Sequence, residues 1–404
     1  MNLLPVIVVL VLLAGAIHIA LWLSRIWHEK RMERDLVFLQ LLTPKKESKE
    51  DKEVESEQFS TGKDFKEVLG VMEHLFEALH GIYLTRIERF WRGQPFFSVE
   101  YAALAGEILL YVVAPRKFAP LIEKQITAFY PDTIIDVVED YNIFTEKSVV
   151  SVQPLVPKKK FTSVFRTYQQ LKSDPFNNIT NAFSKLKTTE GAAVQIVLKP
   201  VKSGWQKKLQ KEATQLINPK KQHAKWWNPI SWLSAAFSII TGGDDLAEFK
   251  EAEHSTGERV SQMVEEYSKS MDEKAGQAGF TCALRLLVST DSETRSKTIL
   301  ETLIAAFRQF DSVRGNSFKR PRIVQTTEIV NKFVRRSPKR TKKQFFMSPK
   351  MLLGTSELTG FFHLPNIKYN KVETIKWQNF KIAPAPKDIP EEGLLLGNNT
   401  HRGE

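Results

Sequence analysis

Cysteine is almost absent from this sequence: Cys282 is the single thiol among 404 residues. One thiol cannot form an intrachain disulfide, and it cannot build a cysteine-rich zinc or iron–sulfur site. Cys282 lies within an apolar, strand-like run, where we expect a buried, inert thiol rather than a nucleophile. The cysteine content therefore favours a reducing compartment for the folded body.

The sequence also lacks the short motifs that carry common catalytic chemistry. It contains no GxxxxGKS/T phosphate-binding loop, no HExxH zinc motif and no GxSxG nucleophile elbow. The eight histidines are scattered, and the six-residue spacing of His74 and His80 does not suit one metal-binding helix face. We therefore predict no catalytic residue, no cofactor and no metal site. A non-enzyme is the favoured interpretation, and an enzyme is the least favoured alternative.

Charge is absent from residues 3–23, whose one ionisable side chain is His18. These 21 residues, at the rise of a helix, span about 31 Å, close to the roughly 30 Å hydrocarbon core of a bilayer. A cleaved signal peptide is the alternative, but no Lys or Arg precedes the apolar run and no small-x-small site follows it. We therefore predict a transmembrane anchor and juxtamembrane helix over residues 1–42.

The residues around the end of the apolar run predict the orientation of this anchor. Trp22 and Trp27 suit a membrane interface, and the basic residues Arg25, Lys30 and Arg31 all lie on the C-terminal side. The positive-inside rule then places the body in the cytoplasm. The sequence thus predicts a single-pass protein of the cell inner membrane.

The anchor is followed by a charged linker and then by an α+β pattern. Residues 43–64 mix both charge signs and predict a solvated tether. Apolar residues at helical spacing from Phe65 to Leu79 predict an amphipathic helix that ends near Gly81. This helix opens a first α+β lobe over residues 65–202, where apolar runs predict strands at FFSVEYAAL, EILLYVVA, TIIDVVEDY, SVVSVQPLV and AAVQIVLKPV.

A similar unit follows later in the chain. FTCALRLLVSTD and the helical pattern from Arg295 to Phe310 repeat the order of strand, turn and helix, which predicts a second α+β lobe with a basic arm over residues 276–346. The predicted fold class is α+β: an N-terminal transmembrane helix followed by two ferredoxin-like α/β lobes with a helical insertion. Residues 347–404 are predicted to form a Pro-rich linker.

The insertion covers residues 203–275, which are helix-rich and lack strand alternation. Asn228 and Pro229 predict the start of a short helix with a broad apolar face. Such a helix can lie in the plane of a membrane or be buried against the lobes, and the sequence leaves both readings open. In the first case the residues at the membrane interface would be Trp226, Trp227, Trp232 and Phe237, in addition to Trp22 and Trp27 of the anchor.

The net charge of +12 is concentrated in two segments. Residues 198–227 contain eight Lys and one Glu, and residues 314–343 contain eleven Lys and Arg and one Glu. The dense run at the end of the second segment is expected to form an exposed loop or arm, which can bind phosphates of DNA or lipid or can simply be solvated. The candidate phosphate or lipid contacts are Arg335, Arg336, Lys339, Arg340, Lys342, Lys343, Lys220, Lys221 and Lys225.

The last part of the chain carries an S-E-L-x-x-x-x-H-L-P element, then a tryptophan, a Pro-rich stretch and an L-G-x-x-x-x-R-G element. Together with WRGQPFFSVEYAALAGEILLYVVAPRKFAPLIEKQITAFYPD and GFTCALRLLVST, this pattern resembles the N-terminal, membrane-proximal region of HerA/TraG-like, type IV secretion-type ATPases of candidate-phylum bacteria. The matching residues are Ser356, Glu357, Leu358, His363, Leu364, Pro365, Trp377, Pro384, Pro386, Pro390, Leu396, Gly397, Asn398, Arg402 and Gly403.

The resemblance implies a platform for a hexameric-type secretion or DNA-translocating ATPase. The relatives continue into a Walker loop, whereas this sequence stops at Glu404, so the motor is expected as a separate subunit or as a missing C-terminal ATPase domain. We therefore predict a non-catalytic, membrane-anchored scaffold whose partners are the inner membrane, the motor ATPase and further copies of this chain. The alternative is a membrane-anchored nucleic-acid-binding protein that binds DNA through residues 198–227 and 314–343.

Overall fold

The computed structural model describes residues 4–45, 65–217, 257–321, 324–341, 348–370 and 372–378, together with residues 344 and 346. Residues 46–64 of the predicted tether and residues 379–404 of the predicted linker lie outside the described residues, whereas most of the linker before residue 379 is described. The centre of the predicted insertion also lies outside the described residues, so the alternatives for its short helix stay untested.

The described residues form ten helices and nine strands. The helices are α1 Leu4–Met32, α2 Phe65–Leu79, α3 Arg86–Arg92, α4 Ala119–Phe129, α5 Phe176–Phe183, α6 Trp205–Ile217, α7 Gly257–Ala275, α8 Glu293–Phe307, α9 Thr326–Val334 and α10 Thr355–Phe361. The strands are β1 Leu36–Leu42, β2 Phe97–Leu104, β3 Glu107–Pro115, β4 Ile134–Val138, β5 Val149–Pro157, β6 Gly191–Pro200, β7 Gly279–Thr290, β8 Phe318–Lys319 and β9 Leu352–Gly354.

All nine strands belong to one sheet in the order β4-β1-β3-β2-β6-β7-β5-β8, with β9 paired to the start of β7. Every pairing is antiparallel. The prediction of two ferredoxin-like lobes is wrong, because β5 and β6, both assigned to the first lobe, pair on either side of β7 of the second. These pairings satisfy strand edges that two separate lobes would expose. The fold is α+β with a single continuous sheet.

The N-terminal helix leads straight into this sheet. α1 ends at Met32, and after a short turn β1 inserts between β3 and β4, so the juxtamembrane helix predicted up to residue 42 is a strand instead. Among the described residues, no helix combines the length and the apolarity needed to cross a membrane. The predicted transmembrane anchor, and with it the single-pass inner-membrane localisation, is therefore wrong. The C-terminal half of α1 carries the charged Arg25 and Glu29 and lies against α3.

Helices cover both faces of the sheet, and the strands alternate accordingly. On the first face, apolar side chains of α2, α4, α5, α8 and α10 form the main core with alternate residues of the strands, such as Leu39 and Tyr101. The second face has smaller apolar clusters, in which α9 contributes Ile329 and Phe333. Cys282 is buried on β7 as predicted, and burial raises the pKa of its thiol.

Two buried ion pairs attach the S-E-L-x-x-x-x-H-L-P element to α7 and to the residues just before α5. Glu357 forms an ion pair with Lys274 of α7 at 2.9 Å, and both side chains are buried. His363 Nε2 lies 2.9 Å from Asp174 Oδ1, while His363 Nδ1 donates to the carbonyl oxygen of Thr359 at 3.0 Å. The polar residues of this element thus have structural contacts with distant parts of the chain.

Candidate functional site

Arg336, a predicted phosphate or lipid contact, is buried rather than exposed. Its side chain is 1% exposed and forms ion pairs with Glu100, at 3.3 Å, and with Asp140, at 2.7 Å. The guanidinium also lies 4.6 Å from the ring centroid of Phe38. Burial alone would lower the pKa of Arg336, but Glu100, Tyr141 and Asp140 raise it. The prediction of an exposed basic arm is therefore wrong at Arg336, because its charge is matched by internal carboxylates.

A buried polar row across the second face of the sheet explains this position. Glu100 of β2, Gln195 of β6 and Arg285 of β7 are directly opposed in the register of neighbouring strands. Gln195 donates to Glu100 at 3.0 Å, and Arg285 donates to Gln195 at 2.7 Å. Burial lowers the pKa of Arg285 to about 10, with Glu100 opposing the shift. Glu100 is a buried carboxylate, so it needs a cation beside it, and Arg336 is that cation.

The chain after Arg336 is attached to the C-terminal end of α1. Ser337 donates a hydrogen bond to Glu33 at 2.7 Å, and its carbonyl oxygen accepts one from Arg285. Two residues later, Lys339 forms an ion pair with Glu29 at 3.0 Å. These contacts fix α1 against the sheet, so its last turns are a rigid part of the body.

The other predicted contacts are distributed differently. Arg335 is exposed at the end of α9, and Arg340 donates to the carbonyl oxygen of Ser348 at 2.8 Å. Trp22 and Trp27 are exposed on α1. The remaining predicted contacts lie outside the described residues: Lys342, Lys343, Lys220, Lys221, Lys225, Trp226, Trp227, Trp232 and Phe237.

A basic cleft lies between α1, α3 and the end of β6. Its volume is about 440 Å³. Four of its lining residues are cationic, and no carboxylate residue is among those that line it. The lining residues are Arg25, Arg86, Ile87, Arg89, Phe90, Trp91, Gln94 and Lys199. We call this site the basic cleft.

The local sequence fixes α3 at the mouth of the basic cleft. Thr85 and Glu88 form a capping box, in which each side chain accepts a hydrogen bond from the other residue's backbone N–H. Gly93, with φ of 74°, ends the helix. A side chain at this position would strain the backbone and would approach Glu29 Cγ to 2.8 Å. Gly93 therefore allows the close contact between α3 and α1.

The residues of α3 are arranged so that cations and apolar groups lie side by side. Arg86 and Arg89 are three residues apart and share one helix face. Phe90 and Trp91 are 46% and 50% exposed although they are large and aromatic. Tyr83 positions Arg89. The Tyr83 hydroxyl accepts a hydrogen bond from the Arg89 guanidinium, which lies 5.3 Å from the centroid of the Tyr83 ring.

Gln94 is a buried donor at the wall of the basic cleft. Its side chain is 3% exposed, and its Oε1 accepts a hydrogen bond from the backbone N–H of Leu84 at 3.3 Å. Its Nε2 has no hydrogen-bond partner among the described residues. A buried amide donor without a partner costs about 1–3 kcal/mol. A ligand acceptor that enters the cleft and reaches this N–H would satisfy it.

The electrostatics of the cleft are set by Lys199 and its neighbours. Burial lowers the pKa of Lys199, as do the charges of Arg25, Lys339 and Lys350, while Glu29 opposes the shift. Burial alone would raise the pKa of Glu29, but the contacts with Lys339 and Arg25 outweigh burial and lower the pKa below its ordinary value. This carboxylate is therefore ionised at neutral pH. Cations thus outnumber carboxylates around Lys199.

Sequence reasoning did not select the α3 residues of the cleft. The segment from Arg86 to Arg92 alternates arginines with Ile, Phe and Trp, which is the signal that was available. It is short, and it lies far from the two basic segments in the sequence. Within the described ranges, no group of three or more His, Cys, Asp or Glu side chains is placed to hold a metal ion.

A comparison with protein families places most of this fold in one family. Residues 84–378 match DUF8128, a domain of unknown function. The chain is a member of the DUF8128 family. No curated protein matches the sequence. The DUF8128 region contributes α3, Gln94 and Lys199 to the basic cleft, whereas Arg25 comes from α1, which precedes the region.

The DUF8128 boundaries also differ from those of the folded unit. β1 and α2 precede residue 84, yet β1 lies within the sheet between β3 and β4, and α2 contributes to the main core. The family region therefore needs the preceding residues to complete its sheet.

Proposed function

We propose that this protein is a nucleic-acid-binding platform that holds the phosphate backbone in the basic cleft. The observation that carries the proposal is the composition of the cleft, where four cations converge without a lining carboxylate. Phosphates are the anions that clustered arginines and lysines bind best, and arginine does so with two parallel hydrogen bonds. Exposed aromatic side chains beside such cations are typical of nucleic-acid interfaces.

The cleft differs from the predicted interface in a way that supports binding. The sequence predicted a continuous basic arm, but Arg336 is neutralised by Glu100 and Asp140. Lys199 and Arg25 instead come from distant segments and meet α3. Arg86 and Lys199 line the cleft without forming an ion pair among the described residues, and Arg25 is paired with Glu29, which does not line the cleft.

The proposal is tested by fluorescence anisotropy of a labelled oligonucleotide titrated with the full chain. Reversing two charges, Arg86→Glu with Lys199→Glu, is expected to weaken binding about tenfold or more, since a charged hydrogen bond contributes about 1.5 kcal/mol or more. Arg320→Glu with Lys297→Glu is the matched control, because these exposed cations pair with Glu301 and Glu293 and do not line the cleft. Equal affinities of both double variants would reject the cleft as the binding site.

A scaffold for a secretion-type or DNA-translocating ATPase is the second candidate function, and it rests on the resemblance. The buried pairs of Glu357 with Lys274 and of His363 with Asp174 support this candidate, because they hold the S-E-L-x-x-x-x-H-L-P element, which carries the resemblance, firmly against the rest of the chain. A chain with this role should co-purify with such an ATPase. Glu357→Ala removes the ion pair with Lys274. If this variant stays folded and the ATPase still co-purifies normally, the result counts against the scaffold function.

A further inference from the structure

We infer that the basic cleft takes single-stranded nucleic acid, with one unpaired base stacked on the aromatic side chains of α3 and contacted by the amide of Gln94. This inference rests on the proposed function and names the form of nucleic acid that the site selects. It uses two features that phosphate binding alone does not require: the exposed rings of Phe90 and Trp91, and the unpartnered Nε2 of Gln94.

The aromatic residues of α3 are placed for a ligand with a flat apolar face. No residue of α3 is buried, although Ile87, Phe90 and Trp91 make up nearly half of the helix. Their exposure is costly in water unless a partner covers them. A nucleobase has the size and the π-face to stack on such a ring, and this contact tolerates any base. In a duplex both faces of each base are already stacked, so only an unpaired base can use this surface.

Gln94 supplies a second contact of a different kind. Its Oε1 is held by the backbone N–H of Leu84, which orients the amide so that Nε2 is the free donor. Every nucleobase carries acceptors on its exposed edges, and so does a phosphate. A purely apolar ligand, by contrast, would leave this buried donor without a partner. The ligand must therefore combine an aromatic face, acceptors and negative charge.

The dimensions of the site agree with one nucleotide at a time. A cleft of about 440 Å³ is within the usual range for small-ligand sites, about 300–1,000 Å³. Arg25 and Lys199 come from α1 and β6, whereas the aromatic residues come from α3. A base on α3 thus leaves its phosphate near cations of the neighbouring elements. The strand then continues past the cleft in both directions.

The experiment compares one mixed-sequence oligonucleotide as a single strand and as a duplex, both titrated with the full chain at the same salt concentration. The single strand is expected to bind about tenfold or more tightly than the duplex. Trp91→Leu, which keeps an apolar side chain but removes the ring face, is expected to weaken single-strand binding about fivefold to a hundredfold and to leave duplex binding unchanged. Val313→Ala, at an exposed apolar residue outside the cleft, is the control.

A second variant tests the amide contact separately from the ring. Gln94→Glu has nearly the same shape but replaces the donor with a carboxylate oxygen, so we expect at least a tenfold loss of single-strand affinity. Circular dichroism and urea denaturation establish that each variant is folded. If Gln94→Glu unfolds the chain, Trp91→Leu still decides the inference, since Trp91 is half exposed and its replacement should not disturb the core.

The possible results separate this inference from the proposed function. If duplex binds as tightly as the single strand and Trp91→Leu has no effect, while Arg86→Glu with Lys199→Glu weakens both, the inference fails and the proposed function stands. If neither form of nucleic acid binds, both fail. If the chain binds only vesicles of anionic phospholipid, the cleft recognises a lipid phosphate, and both are overturned.

Discussion

The second face of the sheet holds two groups of cations that differ in how their charge is matched. Arg336 and Arg285 lie in the buried polar row, where Glu100, Asp140 and backbone carbonyls satisfy them. In the basic cleft, four cations converge and no carboxylate lines the wall, although Arg25 is paired with Glu29 at the margin. A buried cation must be paired to be tolerated, whereas a cation on a concave surface can wait for an external anion. A dense run of basic residues in the sequence therefore does not locate a binding surface. What locates it is whether each cation is paired with a carboxylate inside the protein.

Removing the first 83 residues should disrupt both regions at once. This truncation keeps the whole DUF8128 region but deletes β1, α2 and α1, so the sheet loses a strand between β3 and β4 and the cleft loses Arg25. We expect no cooperative unfolding transition in urea. Removing residues 379–404, which follow the family region, is the control and should leave the transition intact. A cooperative transition in the first truncation would show that β1 is dispensable.

Replacing Arg336 should damage the paired region and leave the charges of the basic cleft in place. Arg336→Met leaves Glu100 buried without its cation, so the free energy of unfolding should fall by about 3–5 kcal/mol. Arg335→Met, at the exposed neighbouring residue, should change it by less than about 0.5 kcal/mol. Urea denaturation measures both. Equal small effects would show that Arg336 is not the buried partner of Glu100.

The buried pair of Asp174 and His363 gives a pH test of internal pairing. Burial raises the pKa of Asp174, but His363, the backbone N–H of Phe176 and Asn370 lower it more strongly, so its pKa in the folded state lies below that of an ordinary Asp. A depressed carboxyl pKa stabilises the fold above the unfolded pKa, and this stabilisation is lost as the pH falls through the folded pKa. The wild type should therefore lose more stability than Asp174→Asn between about pH 5 and pH 3. Parallel urea-denaturation profiles of the two proteins would contradict this.

The smallest expected effect concerns the one carboxylate at the margin of the basic cleft. Glu29 forms ion pairs with Arg25, at 3.2 Å, and with Lys339, at 3.0 Å, so it competes with an external phosphate for these cations. Glu29→Gln should strengthen oligonucleotide binding about twofold to fivefold, because surface ion pairs contribute about 0.2–1 kcal/mol.

Glu107→Gln adds the same charge at an exposed pair with Lys376, away from the cleft, and serves as the control for Glu29. Equal gains in both variants would show a general effect of net charge. Unchanged affinity in Glu29→Gln alone would show that Glu29 does not compete with the ligand.

Local patterns predicted the secondary structure well where one short segment decides it. The periodicity that starts at Phe65 predicted α2, which ends at Leu79, two residues before the predicted end, and the apolar runs predicted β2 to β6. β1 was missed, because its segment was assigned to the juxtamembrane helix. The arrangement of the strands was not predictable in this way, because the pairs β2 with β6 and β5 with β7 join segments that are distant in the chain. A strand pattern records which face is buried and does not record which strand lies beside it.

The candidate site was less predictable than the fold. Arg335 and Arg336 are neighbours in one basic run, yet the first is exposed and the second is paired with Glu100, which lies far away in the sequence. The basic cleft combines residues of α1, α3 and β6, and no single segment shows it. Its strongest local signal is the exposed Trp91 beside Arg89, and even this becomes informative only when the exposure of the ring is known.

The most direct test of the central claim is the salt dependence of single-strand binding by the full chain. For single strands the logarithm of the affinity falls with the logarithm of the salt concentration by about 0.7 for each phosphate neutralised. Four cations in the cleft predict a slope of about −2 to −3 for the wild type, and about 1.4 less in magnitude for Arg86→Glu with Lys199→Glu. A slope near zero, or one that the double variant leaves unchanged, would contradict the assignment of phosphate binding to the basic cleft.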